Sequence, residues 1–264
     1  FEAAAYLRKY GVDIIRVKKW FQADLESYNM IAVNEELTPT LYKLTNSGFV
    51  FNNFYTPVNN STIGGEFQEL SGLYANGSIL KTWRSGKNSF PYGIANMFKD
   101  IGYNTYAYHN HYYTFQDRNK YLNALGFDNF KGCYNGLEKK INCKSWPESD
   151  VQMIETTVED YINDDNFMVF YASVSGHGGY SWSGNNMSRK HKEEVKTLPY
   201  SEPVKAYIAA QMEFDQALEL LIDKLKETEK QEIENTVSEP VEEQTEEVKP
   251  LENTVEIVET PIEE

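Results

Sequence analysis

A chain of 264 residues, 41% of them hydrophobic, is long and apolar enough for one sizeable α/β domain. Its formal charge of −15 is unevenly placed: residues 229–264 hold 13 Glu against 2 Lys, so −11 sits there and only −4 remains for everything before it. No basic stripe able to displace phosphate counterions is present, which excludes nucleic acid as a partner, and no run is apolar for the length that crosses a bilayer.

The chain begins on Phe1 rather than Met, so any signal peptide or membrane anchor is expected upstream of it. Residues 1–24 form a poorly specified segment. Thr38 followed by Pro39 starts a helix, with Leu41, Leu44 and Thr45 at helical spacing and Gly48 closing it. Residues 49–55, FVFNNFY, read as a strand. Residues 91–101 open on Pro91, carry Ile94, Met97 and Phe98 on one face and end at Gly102, after which residues 103–109 alternate as a strand.

A helix follows Arg118 and ends at Gly126. Cys133 and Cys143 flank a polar loop, and their spacing is compatible both with a disulfide in an oxidising compartment and with two free thiols. Residues 148–162 are amphipathic, with Ser149 or Asp150 as cap. They lead into residues 167–173, FMVFYAS, the most apolar run in the chain and the natural candidate for a buried central strand.

Ser201, Glu202 and Pro203 start a long helix through Leu225. From there residues 228–264 repeat ENTV, lack aromatic residues and glycine, and isolate their few apolar side chains between glutamates and prolines. Such a stretch cannot bury enough surface to offset its ordering entropy and reads as disordered. Helices alternating with strands imply a largely parallel sheet covered on both faces, with ligands bound beyond the carboxyl ends of its strands.

Three polar clusters fall at those strand ends. In the first, VNNSTIGGEFQE, Thr62 lies at or next to a helix N-cap, with Gly64 and Gly65 in the first turn and Phe67, Leu70 and Leu73 as the apolar face. An isolated hydroxyl in that place is ordinarily just a cap. The second, HNHYYTFQDR, sets His109 and His111 on one face of an extended chain and adds the guanidinium of Arg118, suited to phosphate; a lone His-x-His pair is otherwise a weak metal signal. The third, SVSGHGGYSWS, places His177 among glycines that let backbone approach a ligand, or simply make a turn. Together the clusters describe a site. A threonine hydroxyl attacks phosphorus only with a base or metal to activate it.

The ordered series ESYN, LTPTLYKLTNSGFVFNNFY, NNSTIGGEF, LYANGS, YHNHYYTFQDR, LGFDNF, SWPESD and VSGHGGY resembles the extracellular domain of the lipoteichoic acid synthase family. These are phosphoglycerol transferases of the alkaline phosphatase and sulfatase superfamily, and the resemblance spans residues 25–226. It implies a sulfatase/alkaline-phosphatase-like α/β fold, a partial catalytic domain over residues 25–227 that is incomplete at its C-terminal end, and an extracytoplasmic location on a bacterial membrane. It further implies Thr62 as nucleophile and ligand of a manganese or magnesium ion, Glu26 as another metal ligand, and His109, Arg118 and His177 as substrate-binding residues. The implied donor is a phosphatidylglycerol-like lipid and the implied acceptor polyglycerolphosphate or a glycolipid.

Three departures from the family pattern stand out. Gln116 occupies a place often held by tryptophan, so headgroup contacts are expected to differ. Residues 17–25, VKKWFQADL, are a poor match to the apolar strand that should aim Glu26. No Asp-His dipeptide follows the long helix, where the family completes its metal site, and the last histidine is His191. The rival readings are a hydrolase of the same superfamily and a non-catalytic remnant that binds an anionic headgroup or glycan; neither cysteine fits the C/S-x-P-x-R motif of a sulfatase nucleophile.

Overall fold

The computed structural model describes residues 19–24, 29–47 and 61–238. Four strands form one sheet in the order β1, β4, β2, β3, with β1 at Lys19–Asp24, β2 at Asn104–Tyr112, β3 at Asn129–Cys133 and β4 at Phe167–Ala172; all three pairings are parallel. The helices are α1 Pro39–Thr45, α2 Ser61–Ser71, α3 Gly77–Arg84, α4 Ile94–Asp100, α5 Arg118–Ala124, α6 Asp150–Thr157, α7 Asn186–Lys190, α8 Lys192–Val195 and α9 Glu202–Ser238.

Strand β4 organises the body because all six of its residues are buried. Successive strand side chains point to opposite faces, so a strand apolar at every position is stable only with both faces covered. Phe167, Val169 and Tyr171 enter one core, with Met153 and Ile154 of α6 and Ala217 and Leu221 of α9. Met168, Phe170 and Ala172 enter the other, with Phe67 and Leu70 of α2, Trp83 of α3 and Tyr121 and Leu122 of α5. The expected α/β architecture, a parallel sheet with helices on both faces, is the one observed.

Local punctuation follows the sequence closely. Pro39 occupies the first position of α1, while the Thr38 hydroxyl turns away from the helix and donates to the carbonyl of Ala32 at 2.6 Å. Ser149 caps α6, its Oγ accepting from Gln152 N at 3.1 Å. Gly126 ends the turn after α5 at φ 108°, and a Cβ there would lie 2.3 Å from Asn96 Oδ1, so only glycine fits. The amphipathic stretch after Ser149 divides into α6 and a 3-10 turn at Val158–Asp160 rather than running on to Ile162. Leu73 lies beyond α2 and is exposed.

Two boundaries differ from expectation. The poorly specified N-terminal residues include β1, which pairs with β4 from Lys19↔Phe167 to Asp24↔Ala172. Backbone pairing does not depend on side-chain pattern, so an edge strand can form from an unconvincing sequence. At the other end α9 continues through Ser238, into the acidic stretch. Its Glu, Lys, Gln and Leu residues are strong helix formers, and no glycine or proline interrupts them before Pro240. The expected strand at residues 49–55 and the expected ligand Glu26 lie outside the described residues.

Cys133, the last residue of β3, is disulfide-bonded to Cys143, with the two Cα atoms 5.7 Å apart. Both cysteines are buried, and the bond closes the loop beside the end of β2.

Candidate active site

Beyond the carboxyl ends of β2 and β4 lies a small cavity of about 50 Å³ whose walls include Thr62, His109, His111, Arg118, Trp146 and His177. Thr62 comes from the first turn of α2, His109 and His111 from β2, Arg118 from the start of α5 and His177 from the turn after β4. With Trp146 from the loop before α6, four segments distant in sequence converge on one point, at the end of the sheet where α/β folds bind ligands.

Its floor is ionic. Arg118 is almost fully buried and grips Glu66 of α2: its Nε lies 3.1 Å and its NH2 2.6 Å from Glu66 Oε2. Tyr121, one turn further along α5, donates its hydroxyl to Glu66 Oε1 at 2.5 Å. A buried carboxylate with a forked guanidinium and a phenol as partners is well satisfied, whereas either charge alone would be costly. Glu66 is four residues after Thr62, on the same face of α2, so this cluster also fixes the helix turn that presents the threonine.

His109 has a single role in this arrangement. Its Nδ1 donates to the carbonyl of Ala172 at 3.0 Å, which leaves Nε2 to accept from Arg118 NH1 at 3.2 Å. Burial, and then the Arg118 charge, hold its pKa well below the usual histidine value, so the ring is neutral. Both nitrogens are engaged by protein, so His109 lines the cavity while holding Arg118 in place. His111 differs: its Nδ1 accepts from Tyr112 N at 2.6 Å, so the neutral ring carries its proton on Nε2. Burial, followed by Arg118, also lowers its pKa.

Two features hold the walls in place. Gln116 and Asp117 both adopt left-handed backbone, φ 55° and 65°, an uncommon conformation for residues other than glycine; it turns the chain abruptly into α5 and brings Arg118 to the cavity. Asp150, wholly buried at the start of α6, joins the ends of β2 and β4. It accepts from Asn110 Nδ2 at 2.9 Å, from Val174 N and Ser175 N at 3.2 Å each, and from the Ser175 hydroxyl. Burial pushes its pKa up to about 6 even against those donors.

Among the described residues, the cavity collects polar atoms without protein partners. Gln116 Oε1 and His177 Nδ1 are both buried and unbonded, and both residues line it. Buried polar groups are nearly always satisfied, so orphans gathered in one polar cavity mark a place for a ligand.

Among the described residues the donors do not by themselves make a metal centre. Of the expected manganese or magnesium ligands only Thr62 is seen at the cavity, and among the described residues no three His, Cys, Asp or Glu side chains come together to hold an ion.

Of the candidate residues, Thr62, His109, Arg118 and His177 are thus brought together, and Glu26 lies outside the described residues. Sequence reasoning overlooked Glu66, Trp146 and Asp150. Glu66 was detectable from its helical spacing to Thr62; Trp146 and Asp150 sit in the SWPESD motif, but nothing local shows that they reach the ends of β2 and β4.

The sequence matches the family model described as Sulfatase over residues 19–236. No curated protein sequence gives a match. Among solved structures, the lipoteichoic acid synthase LtaP from Listeria monocytogenes superposes with a TM-score of 0.65 at 24% identity, covering 80% of this chain and 52% of that one. The C-terminal periplasmic domain of EcEptC from Escherichia coli, in complex with Zn, gives 0.55 at 20% identity over 79% and 59%. The Streptococcus pyogenes phosphoglycerol transferase GacH, in complex with sn-glycerol-1-phosphate, gives 0.54 at 17% identity over 85% and 64%. The chain spans about half the length of LtaP and less than two thirds of the other two. Among the described residues no helix is long and apolar enough to cross a membrane.

Proposed function

The chain belongs to the sulfatase family, and from that premise we propose that it is phosphoglycerol transferase-like, its cavity receiving the phosphoglyceryl head of a phosphatidylglycerol-like lipid at the outer face of a bacterial membrane. The observation that carries this reading is the convergence of Thr62, Arg118, His111 and His177 on one cavity with unsatisfied buried polar atoms. Arg118, aligned by Glu66 and His109, supplies the positive charge, and His111 Nε2–H is a donor for a phosphoryl oxygen. Thr62 is the nucleophile. Its Oγ1 bonds to phosphorus, the bond from phosphorus to the diacylglycerol oxygen breaks, and the threonine proton ends on that oxygen. A polyglycerolphosphate or glycolipid hydroxyl then takes the group from Thr62. Glu26 is proposed, on the family pattern, as the residue that with Thr62 contacts a manganese or magnesium ion.

Incubation with fluorescent phosphatidylglycerol, with and without manganese, tests the proposal. Diacylglycerol release and a mass increase on the Thr62 peptide, both lost in Thr62→Ala, are expected. Turnover that survives Thr62→Ala would remove the nucleophile assignment. A second reading is a non-catalytic member that holds the headgroup without turning it over, and it rests on the same buried Arg118 and orphaned polar atoms. In that case sn-glycerol 1-phosphate binds, binding falls in Arg118→Lys, and no adduct forms.

A further inference from the structure

The turn after β4 carries His177 to the reaction cavity, and it is held there by side chains from other elements. Within residues 173–177 the backbone bonds to itself through His177 N and the Val174 carbonyl, 3.0 Å apart. Ser173, Val174 and Ser175 are buried, where backbone groups need protein partners. Asp150 accepts from Val174 N and Ser175 N at 3.2 Å each. Asn185, the N-cap of α7, donates its Nδ2 to the carbonyls of Ser175 and His177 at 3.2 and 2.9 Å. Gln211 Nε2 of α9 and the Tyr180 hydroxyl reach the Gly176 carbonyl at 3.4 and 3.0 Å. A Cβ on Gly176 would lie 2.6 Å from Gln211 Nε2, so a glycine is needed for that approach.

The imidazole is what these bonds leave over. His177 Nδ1 is buried and unbonded among the described residues, and the ring lines the cavity. The same scaffold reaches the neighbouring walls. Asn110 Nδ2 donates to Asp150 at 2.9 Å, and Asn110 stands between His109 and His111 on β2. Asn186 N, next to Asn185, donates to the Trp146 carbonyl at 3.1 Å, and the Trp146 ring meets that of His177 edge-on at 5.0 Å.

A surface turn satisfies its backbone with water. This one instead uses Asp150, Asn185 and Gln211, each buried, and taking a carboxylate out of water is costly. What the arrangement secures is a ring already ordered before a ligand arrives, so that little freedom is lost on binding.

We propose that Asp150 and Asn185 are positioning residues: neither lines the cavity, and between them they fix the turn that aims the His177 imidazole at the phosphoglyceryl head. This rests on the proposed ligand for its function but not for the placement of the ring.

Two variants test it with little change in packing. Asp150→Asn keeps the shape and replaces one acceptor oxygen, and Asn185→Ser keeps an oxygen to cap α7 while removing the amide that holds Ser175 and His177. The affinity of the full chain for sn-glycerol 1-phosphate is measured by calorimetry in both, in His177→Ala and in the double variants. Each single variant should bind about tenfold more weakly, the worth of one hydrogen bond to a charged group. Adding either change to His177→Ala should cause no further loss, because both act through that ring. Losses that add, or parent affinity in the folded variants, would overturn the inference.

The NMR signals of the His177 ring, assigned by their loss in His177→Ala, read its placement without a ligand. They should move in Asp150→Asn and Asn185→Ser and stay in place in Glu213→Ala. If the parent chain does not bind sn-glycerol 1-phosphate, the headgroup reading falls; displaced ring signals then sustain the positioning, and unmoved ones overturn it. If Asp150→Asn does not fold, Asn185→Ser carries the same comparison. If neither folds, slow amide exchange at Val174 and Ser175 of the parent supports the clamp, and exchange as fast as in an open loop overturns it.

Discussion

Two buried carboxylates in this protein are built alike and serve different ends. Glu66 lies beneath the reaction cavity, with Arg118 and Tyr121 as partners. Glu213 of α9 is as fully buried and accepts from Lys190 Nζ at 2.6 Å, from His191 Nε2 at 2.8 Å and from the Ser149 hydroxyl. Burial by itself would raise the Glu213 pKa, but the bonds from His191, Lys190 and Ser149 bring it below the usual carboxylate value. Both clusters tie distant segments together. Only the first has a partner that reaches a cavity with unsatisfied polar atoms, while the Glu213 cluster fastens α9 to α6 and α7. A buried ionic cluster alone therefore does not mark a site; an opening to a ligand does.

Removing Arg118 should separate the two most sharply. Arg118→Ala leaves the Glu66 charge buried and unpaired, and a loss of about 3–5 kcal/mol in denaturant unfolding is expected together with loss of sn-glycerol 1-phosphate binding. Glu213→Ala should cost less, about 1–3 kcal/mol for the stranded Ser149 and His191 groups, and should leave sn-glycerol 1-phosphate affinity unchanged. A matching loss of affinity in Glu213→Ala would erase the distinction.

Acid provides a milder probe. His109 is held neutral in the fold, whereas in the unfolded chain it takes up a proton near its ordinary pKa of 6.5. Its contribution to stability is thus full above that value and falls as pH drops below it. Asp150, raised to about 6, works in the opposite sense, favouring the fold as it protonates. The difference between parent and His109→Gln in urea unfolding at pH 7.5 and 5.5 isolates the histidine: the parent should lose stability relative to the variant at the lower pH. Glu213, with its lowered pKa, holds its contribution until pH falls below about 4.5, the ordinary glutamate value. The smallest effect is expected for Thr62→Ala, within about 1 kcal/mol in stability, yet complete for the covalent adduct.

Much of the architecture was legible beforehand. The apolar run at β4, the Thr38-Pro39 and Ser149 helix starts, and the glycine after α5 are short-range signals that mean the same thing in almost any context. β1 was legible only through the resemblance, which placed a strand over residues 17–25; its own side chains specify it poorly, because its place depends on the backbone of β4. α9 outran its expected end because helix propensity persisted after apolar periodicity had faded.

For the site, the residues alone determined which chemistry was available: a threonine in a strand-to-helix turn, imidazoles on an extended strand, and an arginine beyond them. Only the tertiary structure decided that His109 holds Arg118 while lining the cavity, that Glu66 anchors that arginine, and that Trp146 reaches the same cavity. Each of those depends on groups brought within hydrogen-bond or ring-contact distance by the sheet, and sequence separation carries no information about such distances.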